Sequence, residues 1–228
     1  MKKLLLLIVV ASLGYGVSAQ SQFGLKFGLN QSRLRPVFDS TNDKADRKAN
    51  YDDFTDNLMG LNFGIVYNSA GDKAFRFQAE LAFSQKGIAN VDNTGKKMSA
   101  SRYTYIDFKP LFNIGGGGDS WRAYFQFGPS INFWALKKSY DKDGKFIDGS
   151  DEWDTDSDEE GSGSFDVRGE VSVLVGVGFK YKLGPGWVLV NPRYEWGITP
   201  TTIIDLGNDG YSEANRTFSF NMGYLFEF

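Results

Sequence analysis

Ten charged residues stand out in this chain as candidates for chemistry: Lys26, Arg76, Glu80, Asp107, Lys109, Arg122, Arg168, Glu170, Arg193 and Glu195. They are spaced along segments whose other positions alternate between large apolar side chains and glycine or small polar ones. Two carboxylates brought together, such as Glu80 with Glu195, could divide acid and base roles, and Asp107 beside Lys109 offers an unlike pair. The structural reading of the same residues is a network in which charges of both signs pair because each would otherwise be desolvated. The structural reading is favoured, since the 228-residue chain has no histidine and no cysteine. That removes imidazole bases, thiolate nucleophiles, disulfides and the usual zinc ligands. No Gly-x-Ser-x-Gly elbow occurs, and the stretch GGGGDS at 115–120 is a turn, because no Gly-Lys-Ser/Thr follows it.

A second candidate is the acidic stretch at 137–163. From Asp141 to Glu160 it carries ten acids and two lysines. Asp141, Asp143 and Gly144 begin like a calcium loop, but the glycine comes too early for an EF-hand. A solvated loop that repels itself is the expectation, with loose surface cation binding as the alternative. The formal charge of −3 gives no basic surface for nucleic acid.

The elements that position the ten charges follow a period of two. The closing segment places Phe218, Phe220, Met222, Tyr224, Phe226 and Phe228 on one face, and the opening one Phe23, Leu25, Phe27 and Leu29. Six further segments repeat the pattern between them, the sixth of the eight running from Phe165 to Tyr181. Strict alternation over so many segments predicts antiparallel strands with two chemically different faces. Turns rich in glycine alternate with long polar loops expected at 31–58, 86–101, 137–163 and 200–213. The resulting fold class is all-β: an eight-stranded antiparallel up-and-down transmembrane β-barrel over residues 20–228. Residues 1–19 read as a signal peptide, with Lys2 and Lys3 before an apolar stretch and a small-residue cleavage site at Val17-Ser18-Ala19. Pro110, Pro129 and Pro192 fall inside strands and are expected at bulges or bends.

Alternation alone does not say which face is outside. Of the 20 phenylalanines, all but Phe38, Phe54 and Phe146 fall on the apolar face. A barrel of eight strands has an interior just wide enough for side chains, so so many large rings predict an outward, lipid-facing row. The opposite face carries the ten charges between glycines, which suits a narrow lumen. Tyr67, Trp121, Tyr181, Tyr194 and Trp196 would sit near the two ends of the strands, where aromatic girdles form. By parity Trp134 and Trp187 face inward.

Several stretches resemble the PorT-like outer-membrane β-barrel family of Bacteroidetes. They are FGLKFGLNQS at 23–32, ELAFSQKG at 80–87, YIDFKPLF at 105–112, FGPSINF at 127–133, RYEWGIT at 193–199 and NRTFSFNMGYLFEF at 215–228. The resemblance implies a barrel in the outer membrane, with a C-terminal aromatic as an assembly signal. It supports a link to type IX secretion only weakly, because most members are not the secretion protein.

These readings together predict a monomeric, non-enzymatic barrel in the cell outer membrane, with no cofactor and no metal. Its expected partners are outer-membrane lipid and envelope or secretion-complex proteins. The alternatives are a small outer-membrane channel or transporter, and a soluble periplasmic barrel that binds an apolar ligand.

Overall fold

Ten strands form in the computed structural model, which describes residues 21–38, 51, 53–70, 74–147, 163–166, 168–205 and 211–228. The expected signal peptide at 1–19 lies outside the described residues. The strands are β1 (Gln22–Phe38), β2 (Thr55–Asn68), β3 (Phe75–Val91), β4 (Lys97–Gly117), β5 (Trp121–Asp141), β6 (Gly163–Asp166), β7 (Gly169–Leu183), β8 (Gly186–Gly197), β9 (Thr202–Asp205) and β10 (Tyr211–Glu227). Eight of them, β1-β2-β3-β4-β5-β7-β8-β10, form an antiparallel ring. Pairing of β1 with β10, from Gln22↔Glu227 to Phe38↔Tyr211, closes it. Closure removes every free edge from the wall, as a membrane-spanning sheet requires.

The ring settles which face is outside. Phe27 is 61% exposed, whereas its neighbour Lys26 is 2% exposed. The same contrast holds between Phe220 and Asn221 and between Phe108 and Asp107. The apolar face is therefore the outer one, the reverse of a soluble barrel with an apolar interior. From Phe218 on β10 to Phe228, one residue past its end, the outward row covers ten residue steps. At about 3.4 Å per residue and a tilt of about 40°, this is about 26 Å along the barrel axis, which matches the apolar band of outer-membrane barrels. Trp121 and Tyr181 lie outward near the short-turn end, and Tyr194 and Trp196 near the long-loop end.

Three sequence expectations need correction. The segment from Phe165 to Tyr181 is not one wall strand. Its first residues form β6, which pairs with β9, and β9 in turn pairs with β10 outside the ring. The wall strand β7 begins only at Gly169. Second, most of the described residues in the polar stretches read as loops are strand. The expected loop at 86–101 shrinks to a turn at 92–96, where the Asp92 carboxylate accepts the Thr94 hydroxyl at 2.6 Å and the Lys96 amide at 3.0 Å. Beyond the lipid, water removes the need for an apolar outer face, so the ladder continues without the alternation that reveals it.

Third, the prolines are not at register shifts. Pro110 and Pro129 sit opposite each other between Phe108↔Ile131 and Phe112↔Phe127, and the β4–β5 ladder is interrupted there with its register kept. Two residues without an N–H placed face to face concentrate the missing donors in one gap. Pro192 similarly lies opposite Val177 in a gap between Gly176↔Arg193 and Phe179↔Val190. The Asn191 side-chain amide donates to the Val177 carbonyl at 2.8 Å, giving that oxygen a donor that proline cannot supply. The short turn between β7 and β8 needs a positive φ, which Gly184 provides at 62° ahead of Pro185.

Candidate functional site

The lumen is built by the alternate residues of the same strands, and its centre is polar. Glu80 on β3 is buried and receives one cation from the opposite wall and one from two strands away. Arg193 on β8 donates from both terminal nitrogens, at 2.7 Å to Oε2 and 2.6 Å to Oε1, a two-pronged pairing. Lys26 on β1 also donates to Oε2, and the Gln78 amide to Oε1. Arg193 is held in turn by the Asn191 side-chain oxygen. Four donors fill the Glu80 carboxylate, so it has no lone pair aimed at open space.

A second cluster lies further toward the long-loop end. Lys109 on β4 bridges Asp107 Oδ2 at 3.0 Å and Glu195 Oε2 at 2.7 Å. Lys86 on β3 pairs with the other oxygen of Glu195, which also accepts the Asn132 amide at 2.9 Å. The Ser84 hydroxyl donates to Asp107 at 2.6 Å. Glu170 accepts the Ser172 hydroxyl at 2.8 Å and the Asn215 amide at 2.6 Å. The same Asn215 amide reaches the Tyr105 hydroxyl at 3.0 Å.

Glu80 and Glu195, the carboxylates that could have formed an acid–base pair, belong to different clusters and each has its own cations. Asp107 and Lys109 do meet, but the lysine is shared with Glu195. Between the two clusters the open space is about 10 Å³, lined by Lys26, Lys86, Asp107, Lys109, Arg193 and Glu195 among others. That is at the limit for one water molecule.

The other three predicted residues stand apart from these clusters. Arg76 is buried at the short-turn mouth. Arg122 lies there too, half-buried, 5.9 Å over the ring of Trp187. Arg168, just ahead of β7, lies 5.6 Å over Trp134 at the opposite mouth. The predicted network thus contains two ion clusters, and Arg122 and Arg168 lie over aromatic rings nearer the two ends.

Sequence reasoning missed Lys86, Lys180, Asn132, Asn191 and Asn215. Lys180 was legible, since the parity that turns Phe179 and Tyr181 outward turns it inward. Lys86 falls at the first position of the loop expected at 86–101, although β3 runs on to Val91. The asparagines carry no charge and gave no signal beyond parity.

Two apolar layers bracket the polar centre. Val66, Trp187, Leu189 and Leu225 form one toward the short turns. Leu34, Ile88, Tyr103, Tyr105 and Trp134 form the other, with Tyr51 packed on it and the Tyr103 and Trp134 rings edge to face at 5.6 Å. The Tyr51 hydroxyl donates to Glu213 at 2.8 Å. Gly178 belongs to the packing, because a Cβ there would collide with the Tyr124 ring.

Of the acidic stretch at 137–163, residues 137–141 complete β5 and residues 148–162 lie outside the described ones. The Asp141 carboxylate accepts the Asp143 and Lys145 amides at 3.0 and 2.8 Å, so it shapes a turn.

Comparison with known proteins places the chain. A family model described as outer membrane protein beta-barrel domain matches residues 18–202. No curated protein matches the sequence. Among solved structures, the outer membrane protein OprG from Pseudomonas aeruginosa is similar at 11% identity, with 93% of this chain and 98% of that chain covered and a TM-score of 0.49. Neisserial surface protein A is similar at 12% identity, covering 90% and 97%, with a TM-score of 0.46. Ail, the attachment invasion locus protein of Yersinia pestis, is similar at 12% identity, covering 91% and 99%, with a TM-score of 0.42. The chain belongs to the outer membrane protein beta-barrel domain family and resides in the outer membrane.

Proposed function

We propose that this outer-membrane barrel is a closed, non-enzymatic structural or interaction protein of the cell envelope, acting through its ends rather than its lumen. The observation that carries this reading is the filling of the lumen. Two ion clusters leave about 10 Å³ between them, and an apolar layer lies beyond each. A conducting path would need a continuous file of water, and breaking either cluster would strand a buried charge. Each carboxylate of the clusters is engaged by cations or amides; Asp107 Oδ1 has no partner among the described residues, but the residue is fully buried beside about 10 Å³ of space, which leaves no room for a substrate. The strands that project beyond the apolar band, together with the β6–β9–β10 pairing, form the surface for a partner at the long-loop end. Outer-membrane barrels carry their longer loops on the extracellular side, which places this surface at the cell exterior and the short turns in the periplasm. The sequence stretches shared with PorT-like barrels of Bacteroidetes support a monomeric member of that group, with envelope or secretion-complex proteins as partners.

Planar-bilayer recording on the purified protein tests the reading. The expected trace has no steady unitary conductance. A reproducible open channel whose ion selectivity shifts in Arg193→Ala, with stability unchanged, would make the lumen a transport path.

A further inference from the structure

We propose that the short-turn mouth of the barrel binds a compact anion, the size of a halide ion or a carboxylate group. Arg122 on β5 and Lys180 on β7 are direct cross-strand partners. Like charges opposite each other weaken a ladder unless an opposite charge joins them. Among the described residues, neither has a carboxylate at ion-pair distance. The Lys180 amine donates to the Gln22 side-chain oxygen at 3.2 Å and lies 5.3 Å from the Tyr124 ring centre. Arg122 stacks on Trp187. Lys180 is nevertheless only 3% exposed. Elsewhere in the lumen the buried cations Lys26, Lys86, Lys109 and Arg193 all reach a carboxylate.

The space beside this pair has the size and lining that an anion needs. A cavity of about 30 Å³ is bordered by Arg76, Asn113, Arg122, Tyr124 and Lys180, with no acidic side chain among the described residues of its wall. It exceeds the room for one water and is far too small for a sugar or nucleotide. The Tyr124 hydroxyl is a second, independent sign. Its residue is 9% exposed, it borders the cavity, and its oxygen has no hydrogen-bond partner among the described residues. A buried hydroxyl and a buried ammonium both gain if an acceptor occupies the space. A bound anion would thus supply, from solution, the charge that Glu80 and Glu195 supply in the two inner clusters.

Bromide serves as the probe on the full refolded barrel. In crystals soaked in sodium bromide, an anomalous peak is expected between Arg122 and Lys180. In detergent, the thermal midpoint should rise saturably with sodium bromide or sodium acetate over sodium gluconate of equal ionic strength. Lys180→Met should abolish that anion-specific rise while its midpoint in gluconate is at or above that of the wild type. Arg122→Gln gives the same comparison if Lys180→Met does not refold. Absence of the peak in the wild type, or a peak without any anion-specific rise, would overturn the site, the second result marking an adventitious ion only.

Discussion

The lower and upper halves of the β4–β5 hairpin obey different rules although one ladder joins them. In the lower half, Ile106, Phe108, Phe112 and Ile114 on β4 and Phe125, Ile131 and Phe133 on β5 are exposed on the outside, with Asp107, Lys109, Asn113, Gln126, Ser130 and Asn132 buried inside together with Leu111 and Tyr124. In the upper half, pairing continues to Ser99↔Asp141, yet the outer positions include Arg102, Thr104 and Lys138. A register shift at Thr104/Tyr105 separates the two regimes. Each strand is 21 residues long, about twice what a tilted membrane-spanning strand needs. Hydrogen bonding makes the strand, and lipid makes the alternation. Where lipid ends, the strand persists without its signature.

The largest effect is expected in the embedded half, at the lumen centre. Glu80→Ala removes the one carboxylate that Lys26 and Arg193 share, leaving two buried cations unpaired. A loss of about 3–5 kcal/mol is expected from breaking such a pair, read by guanidinium unfolding of the barrel in detergent micelles. Arg193→Ala, which leaves Glu80 with Lys26 and Gln78, should cost less. Equal and negligible losses for both would mean that water reaches the centre and that the lumen is not the packed interior described above.

On the outer wall of the same half, Phe220→Arg sets a charge in the lipid row. The expected cost is about 2–4 kcal/mol if residue 220 lies at the bilayer midplane. A label at 220 should be shielded by lipid, and one at the neighbouring position 221 should not. The opposite pattern would reverse the two faces.

These embedded positions were legible in the sequence because each solvent imposes its own residue type. Phe218 to Phe228, Phe23 to Leu29 and the inward charges at Glu80, Arg193 and Glu195 all follow from a period of two. The upper halves were not legible for the reason that separates the hairpin's two regimes. Residues 86–91, 97–101 and 137–141 are strand, but water on the outer face leaves their polar residues indistinguishable from loop. Phe165 misled in the opposite sense, since a large residue in phase with Val171 and Val173 belongs to a strand outside the ring. In the site, parity found the charged residues but not their grouping. Which cation meets which carboxylate depends on stagger around the ring. Thus Arg193 and Glu195, two residues apart on β8, serve different clusters.

A smaller effect is expected at the proline gap. Asn191→Ala removes the amide that donates to the Val177 carbonyl opposite Pro192, and also the oxygen that holds Arg193. About 1–3 kcal/mol should be lost, the cost of leaving a buried polar group without its partner. Combining Asn191→Ala with Pro192→Ala tests the cause. If the new backbone N–H at 192 serves the same carbonyl, part of the loss returns, and no recovery would assign the loss to Arg193 alone.

The smallest effect should come from repeating the Phe220→Arg experiment on the projecting half. Met98 on β4 is 48% exposed, about as open as Phe220 at 44%, and both are large apolar residues on strands of the ring. By exposure alone, the two arginine substitutions should be equivalent. They differ in what surrounds the side chain. Phe220 lies in the middle of an apolar row, whereas Met98 has Lys97 beside it and Ser99 paired with Asp141 just beyond. If the medium around Met98 is water, Met98→Arg should change stability by no more than about 0.5 kcal/mol, as ordinary surface substitutions do. Guanidinium unfolding of both variants in lipid vesicles reads the difference. A cost at Met98 comparable to that at Phe220 would move the membrane boundary above the register shift at Thr104/Tyr105, and the two halves of the hairpin would then share one solvent.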